Sequence, residues 1–282
     1  MKYVISGFAD EYAKSLSEQI KGFCDLGIRY MELRFVDGIN VADLSLDQAK
    51  EIKKELDAAN IRVSAIGSPL GKIPVTDDLA PHLEKAKHVF EIANIFECQL
   101  IRMFSFYIPK DHTREEYRQQ VFERVGCLLD LAEQYGVILC HENERGIYGE
   151  SPEDVFDLLS YFNGRLRCVF DMGNFVLEGY KPLEVAFPLL RSYISYFHIK
   201  DGLEDGVIVP AGMGNAKIQE ILAEFNADND IFVSLEPHLT GFVGLGNLTA
   251  SQLKHNCHFD SREQAFSFHA EAVKEILRRI GK

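Results

Sequence analysis

The sequence predicts an α/β fold, a single (β/α)8 barrel running over residues 1–282. Three observations carry that expectation. Short apolar runs rich in Val and Ile alternate with longer stretches whose apolar residues recur three and four apart, the two signatures of strand and helix. There are eight such runs, each with a helix signal after it, at about 35 residues per unit, the spacing of a (β/α)8 barrel. The runs are also apolar on successive residues rather than alternate ones, as in strands covered on both faces of a parallel sheet. An open doubly wound sheet is the competing arrangement. However, no Gly-x-Gly-x-x-Gly opens the first unit, and no Pro-, Gly- or Ser-rich linker divides the chain.

The first strand is expected over Tyr3–Phe8, followed by a helix with the stripe Leu16, Ile20, Phe23 and Leu26, closed by Gly27. Ile28–Arg34 is the second strand, and Asp47 to Ala59, carrying Ile52 and Leu56, its helix. Ile61–Gly67 precedes the stripe Leu79, Leu83, Ala86, Phe90 and Ala93. Leu100–Phe104 precedes a helix opened by the capping box Thr113-Arg114-Glu115-Glu116 and closed by Gly136. Val137–Glu142 is the fifth strand, and Ser151-Pro152 starts the fifth helix with Pro at its first position. Arg167–Asp171 is followed by a weak helix signal, Leu183 to Leu190, which Pro188 interrupts. Tyr193–Ile199 precedes a helix over about Ala216 to Phe225, and Ile231–Glu236 precedes one capped by Ser261. Between these last two lies an irregular, Gly-rich stretch, Pro237 to Asp260, long enough to read as a functional loop.

Composition narrows the function. With 46% hydrophobic and 26% charged residues, a chain of 282 residues can bury a full core without disulfides, which excludes disordered and fibrous classes. The net charge of −13 repels phosphate backbones, so nucleic acid is not an expected partner. No run approaches the ~18 apolar residues of a membrane span. The apolar start, Met1 to Phe8, is too short for a signal peptide, so the expected location is the cytoplasm. None of the six cysteines forms a C-x-x-C pair, which fits free thiols in a reducing compartment.

In such barrels the active site gathers at the carboxyl ends of the strands. Four consecutive strands end in Glu142, Asp171, His198 and Glu236, about one βα unit apart. Three carboxylates crowded with an imidazole at one mouth leave the carboxylates repelling one another unless a cation lies between them. Oxygen donors with one nitrogen suit a single divalent ion such as Mn, Co, Mg or Zn.

These residues, with Gly7-Phe8-Ala9-Asp10-Glu11, Met31-Glu32-Leu33-Arg34, Ser68-Pro69-Leu70-Gly71-Lys72, His141-Glu142-Asn143, Phe170-Asp171-Met172-Gly173-Asn174, His198-Ile199-Lys200-Asp201 and Leu235-Glu236-Pro237-His238, make the whole chain resemble the xylose-isomerase-like superfamily of sugar (phosphate) isomerases and epimerases, in particular its ketose-epimerase and inosose-dehydratase-like branches. The resemblance implies Glu142, Asp171, His198 and Glu236 as metal ligands. It also implies that Glu142 and Glu236 double as the acid/base pair. The expected activity is metal-dependent isomerisation or epimerisation of a small carbohydrate or polyol, by carboxylate-mediated proton transfer through a metal-stabilised enediolate.

Two positions depart from the ketohexose epimerases: Asn174 stands where they carry a substrate-binding His, and Glu204 where they carry an Arg. These departures motivate a second expectation, a metal-dependent dehydratase of a keto-inositol or related polyol. A non-catalytic sugar-binding barrel is the third. The expected substrate contacts are Lys200, His238, Asn174, Arg34, Arg102, Glu144, Arg145 and Tyr148, with Phe106 and Tyr107 as an apolar wall. For Arg34 and Arg102 the competing expectation is a salt bridge to Glu32, Asp10 or Glu11, and for Lys200 a pair with Asp201. Pairing of barrels into a homo-oligomer is a further expectation.

Overall fold

The computed structural model describes residues 2–241, 254–255 and 257–282. Its main sheet holds eight strands: β1 Tyr3–Gly7, β2 Tyr30–Leu33, β3 Arg62–Ile66, β4 Leu100–Met103, β5 Ile138–Glu142, β6 Arg167–Asp171, β7 Ile194–Ile199 and β8 Ile231–Leu235. Their order is β1-β8-β7-β6-β5-β4-β3-β2, and every paired neighbour is parallel. The two ends of that order, β1 and β2, pack side by side, so the sheet curls into a nearly closed barrel. Helices surround it, as the alternating signals predict.

The strands are covered on both faces, which explains their continuous apolarity. Ile66, Leu139, Phe170, Phe197 and Val233 point outward into the large core shared with Phe23, Phe90 and Leu128 of the helices. Their sequence neighbours Ala65, Cys140, Val169 and Tyr196 form a separate inner cluster within the barrel.

Several of the helices begin where a side chain takes up one of their first free N–H groups. They are α1 Leu16–Asp25, α2 Leu46–Ala58, α3 Ala80–Ile95, α4 Arg114–Tyr135 and α5 Pro152–Tyr161, then α6 Met172–Leu177, α7 Phe187–Leu190, α8 Ile218–Glu224 and α9 Arg262–Arg279. Ser45, Ser151 and Ser261 cap α2, α5 and α9. Glu116 closes back onto Thr113 N at 3.1 Å at the start of α4, and Gly136, in the left-handed region at φ 68°, ends it. The sixth unit departs from the single interrupted helix expected there. Two short helices, α6 and α7, flank a wide π turn over Pro182–Ala186. Pro188 falls in the first turn of α7, where its missing N–H has no partner to lose.

The periodicity gave no sign of the short pairings Phe35–Val36 with Ile39–Asn40 and Asp201–Gly202 with Val207–Val209, which are too brief to carry a pattern. Most of the expected loop over 237–260 lies outside the described residues; within it, His255 pairs with Ile208. Cys98, Cys140 and Cys168 are buried free thiols, whereas Cys127 is exposed. No helix among the described residues is long and apolar enough to cross a membrane.

Candidate active site

Glu142 closes β5, Asp171 closes β6, His198 lies one residue inside the end of β7, and Glu236 follows β8 directly. The barrel brings one donor atom of each within 4.8 Å of the others. His198 stands in the middle. Its Nδ1 lies 2.9 Å from Glu142 Oε1, 3.2 Å from Glu236 Oε2 and 4.0 Å from Asp171 Oδ2. All four side chains are buried.

Local structure fixes each of them. Asp171 ends its strand and caps α6, accepting from Asn174 N at 2.8 Å through Oδ1 while Oδ2 faces the cluster. The helix can start this close to β7 because residue 173 is glycine: a Cβ there would lie 2.7 Å from Lys200 Cβ. Asn143 ties β5 to β6, donating to Asp171 O and accepting from Asp171 N, both at 3.1 Å.

Three cations come in from the sides. Arg102, on β4, donates to Glu142 Oε2 at 3.1 Å. Arg34, just after β2, donates to Glu236 Oε1 at 2.9 Å, to Asp10 Oδ2 at 3.0 Å and to Glu11 Oε1 at 3.1 Å. Lys200 donates to Asp171 Oδ2 and Asn174 Oδ1, and stands 3.0 Å from Glu236 Oε2. Phe8 lies beneath both guanidinium groups, 4.0 Å from Arg34 and 5.0 Å from Arg102, and meets His198 edge-on.

These neighbours set the charge states. Burial pushes the Glu142 carboxyl up, but His198 and Arg102 beside it outweigh burial and hold it at about 2. For Glu236 burial is likewise outweighed, by Lys200, His238 and His198, and the group lies well below the carboxylate range. At Asp171 burial wins over Lys200, and the pKa rises to about 7. Burial lowers His238 to about 3, with Lys200 adding to the effect, so its imidazole is neutral.

The expected substrate contacts divide into two groups. Lys200, Asn174, Arg34, Arg102 and His238 lie at the cluster, with His238 Nε2 3.4 Å from Glu236 Oε1. Glu144 is one step out, paired with Lys72 at 2.7 Å. Arg145 and Tyr148 are not brought to it. Arg145 pairs with Glu178 at 2.6 Å, and the Tyr148 hydroxyl donates to Asp157 in α5 at 2.7 Å. Tyr107 bridges to Pro74 and Ile147, so it braces the neighbouring loops. Lys200 pairs with Asp171 and Glu236 rather than Asp201, whose oxygens take backbone N–H groups.

Glu32 escaped the sequence reading as a site residue. It does not pair with Arg34 but reaches across the barrel to His198 Nε2 at 3.0 Å. The signal available was a carboxylate alternating with apolar Met31 and Leu33, hence turned inward.

The cluster suits a divalent cation by its donors alone: three carboxylates and one imidazole nitrogen, held close and buried. Glu236 Oε2 is buried and makes no well-directed hydrogen bond, although Lys200 and His198 Nδ1 stand 3.0 and 3.2 Å from it.

A parallel eight-stranded barrel with acid and imidazole groups converging at its carboxyl ends defines a TIM barrel with an enzyme-like mouth. The chain belongs to the xylose isomerase-like TIM barrel family, whose model matches residues 24–257. No curated protein matches it by sequence. Solved structures share its fold throughout. L-ribulose 3-epimerase superposes with a TM-score of 0.77 at 16% identity, covering 100% of this chain and 96% of that one. The probable 3-DHS dehydratase AsbF of Bacillus anthracis, involved in petrobactin synthesis, gives 0.73 at 18% identity, over 97% and 99%. The IOLI protein with a bound zinc atom gives 0.72 at 16% identity, over 99% of each chain.

Proposed function

We propose that the protein is a divalent-metal-dependent sugar or sugar phosphate isomerase or epimerase, with Glu142 and Glu236 as the proton-transfer pair and Glu142, Asp171, His198 and Glu236 as the metal ligands. One observation carries the reading: Glu142 and Glu236 flank the same imidazole from different strands, and each is held by its own arginine. A divalent cation, when bound, supplies the charge that makes a proton next to a carbonyl acidic enough to remove. The rest falls to the side chains. Both glutamates are ionised at neutral pH, so either can accept a carbon-bound proton from its own side. Delivery of a proton to the opposite face epimerises the carbon, and delivery to the neighbouring carbon isomerises the sugar. The Lys200 ammonium, the neutral His238 imidazole and Asn174 orient substrate oxygens. His198 and Arg102 keep Glu142 charged, and Lys200 with His198 does the same for Glu236, which Arg34 also contacts.

The zinc atom of the IOLI protein is in keeping with a metal in such a barrel, and the epimerase neighbour with this chemistry. A lyase reading has its own support. Asn174 accepts from Lys200 at 3.0 Å and fixes an ammonium beside Asp171 and Glu236, where it would stabilise charge on a departing hydroxyl. The dehydratase neighbour keeps that outcome in view.

The test is solvent deuterium exchange followed by NMR. The protein with added Mn²⁺ is incubated in D₂O with ketoses, keto-inositols and their phosphates. Deuterium should appear next to the carbonyl of the true substrate, and chelation should abolish it. Glu142→Gln and Glu236→Gln should each slow exchange by roughly 10²–10⁴-fold, the usual share of a general base. Undiminished exchange in the double variant would refute the assignment. An unsaturated ketone as product would select the lyase.

A further inference from the structure

Glu32 is fully buried in the barrel and takes no part in the chemistry proposed above. Three donors converge on it. Tyr196 Oη donates to its Oε1 at 2.9 Å, Ser234 Oγ donates to its Oε2 at 2.5 Å, and His198 Nε2 lies 3.0 Å from the same Oε2. The fold places these partners deliberately. Tyr196 sits two residues before His198 on β7 and so faces the same interior, and Ser234 is the register partner of His198 on β8. The β2–β3 ladder slips by one residue between Met31 and Glu32, a bulge of the kind that re-aims a side chain.

We infer that Glu32 is the positioning residue of the metal centre: it holds the proton of His198 on Nε2 and turns Nδ1 toward Glu142, Asp171 and Glu236. An oxygen that already accepts from Ser234 offers His198 a lone pair, so Nε2 carries the hydrogen. Nδ1 is then the nitrogen left to bind a cation, and it is the one facing the three carboxylates. The negative charge behind the ring also makes that nitrogen a better donor. Glu32 never touches the cation or the substrate; it acts only through His198. This rests on the metal reading of the preceding section.

The test is metal affinity rather than turnover. Chelator-stripped wild type and Glu32→Gln are titrated with Mn²⁺ by calorimetry. Loss of a partner behind a ligating histidine lowers affinity by about 10–100-fold, and that is the expected loss. A second signature separates positioning from general loosening. In the Zn²⁺-loaded, ¹⁵N-labelled protein, the His198 Nε2 proton should be shifted far downfield and protected from exchange, and Glu32→Gln should move it upfield and expose it. Equal Mn²⁺ affinity with an unchanged His198 signal overturns the inference while leaving the metal reading intact. A wild type that binds neither ion overturns both. If Glu32→Gln does not fold, Tyr196→Phe with Ser234→Ala removes two of the donors that aim the carboxylate. Weaker Mn²⁺ binding by several-fold is then expected, and unchanged binding overturns the inference.

Discussion

Replacing Arg34 by methionine tests the electrostatics of the mouth most directly. The guanidinium is buried and binds Asp10, Glu11 and Glu236 together, at 3.0, 3.1 and 2.9 Å. Methionine fills much of its volume but leaves those carboxylates facing one another without a counter-charge. Removing one partner of a buried ion pair costs about 3–5 kcal/mol. At roughly 2–4 °C per kcal/mol for a chain near this size, melting should fall by about 10 °C. The loss should shrink on acidification, because protonated carboxylates no longer repel. Burial already raises Glu11 to about 8, against the pull of Arg34, so its proton comes off in the folded protein at higher pH than in the unfolded chain. Stability from this group therefore falls as pH rises from the ordinary carboxylate range through about 8, and Arg34→Met should steepen that fall. Urea unfolding from pH 5 to 8, with chelator and with Mn²⁺, reads both effects. The ion should rescue part of the loss by neutralising Glu236. A cost under about 1 kcal/mol at pH 8, or one independent of pH, would refute the account of Arg34 as the counter-charge.

Two further expectations concern the supports of the site. His269 of α9 bridges Ile199 O at 3.0 Å and Ala211 N at 3.3 Å, and burial lowers its pKa to about 4. The unfolded chain binds that proton first, so stability should drop as pH falls from about 6.5 through 4, by roughly 3 kcal/mol in all; His269→Gln should flatten the drop in acid unfolding curves. Asp201 Oδ2 accepts from Gly212 N at 2.8 Å and Gly214 N at 3.0 Å, and in Asp201→Asn an amide rotamer that keeps oxygen on the Gly202 and Ala216 side faces both N–H groups with a donor. At about 1–3 kcal/mol per unsatisfied group, this should cost a few kcal/mol and speed amide exchange at both glycines.

The barrel was legible because its signal is repeated: most strands are apolar on successive residues, and most helices carry a stripe, a cap or both. Glu142, Asp171, His198 and Glu236 stood out because polar groups at the ends of apolar strands have few structural reasons to be there. Arg145 and Tyr148 were less legible. They follow Glu142 closely in sequence, but the turn after β5 carries them outward to Glu178 and Asp157, and a loop's direction leaves no periodic trace. Asn143 and Asp201 spend their side chains on backbone groups of other segments, which only the folded chain brings within reach. Glu32 was hidden for the opposite reason. Its neighbour Arg34 offered an obvious partner two residues away, while the true partner lies on β7.

The division of labour around the barrel separates the two glutamates from the other ligands. The half made of β5 to β8 supplies all four candidate ligands, and Asp171 takes its counter-charge, Lys200, from that same half. Glu142 and Glu236 also reach arginines of the far half, Arg102 on β4 and Arg34 after β2, while Glu236 shares Lys200 with Asp171 at 3.0 Å. A plain ligand needs only to face the cation. A group that must gain and lose a proton beside it also needs a fixed charge that does not titrate with it, and arginine is the side chain that stays charged throughout. An arginine contact thus sets Glu142 and Glu236 apart from Asp171, in keeping with the proton-transfer role proposed for them. β2 and the residue after it contribute no ligand but carry two inward charges, Glu32 behind the imidazole and Arg34 beside the Glu236 carboxylate.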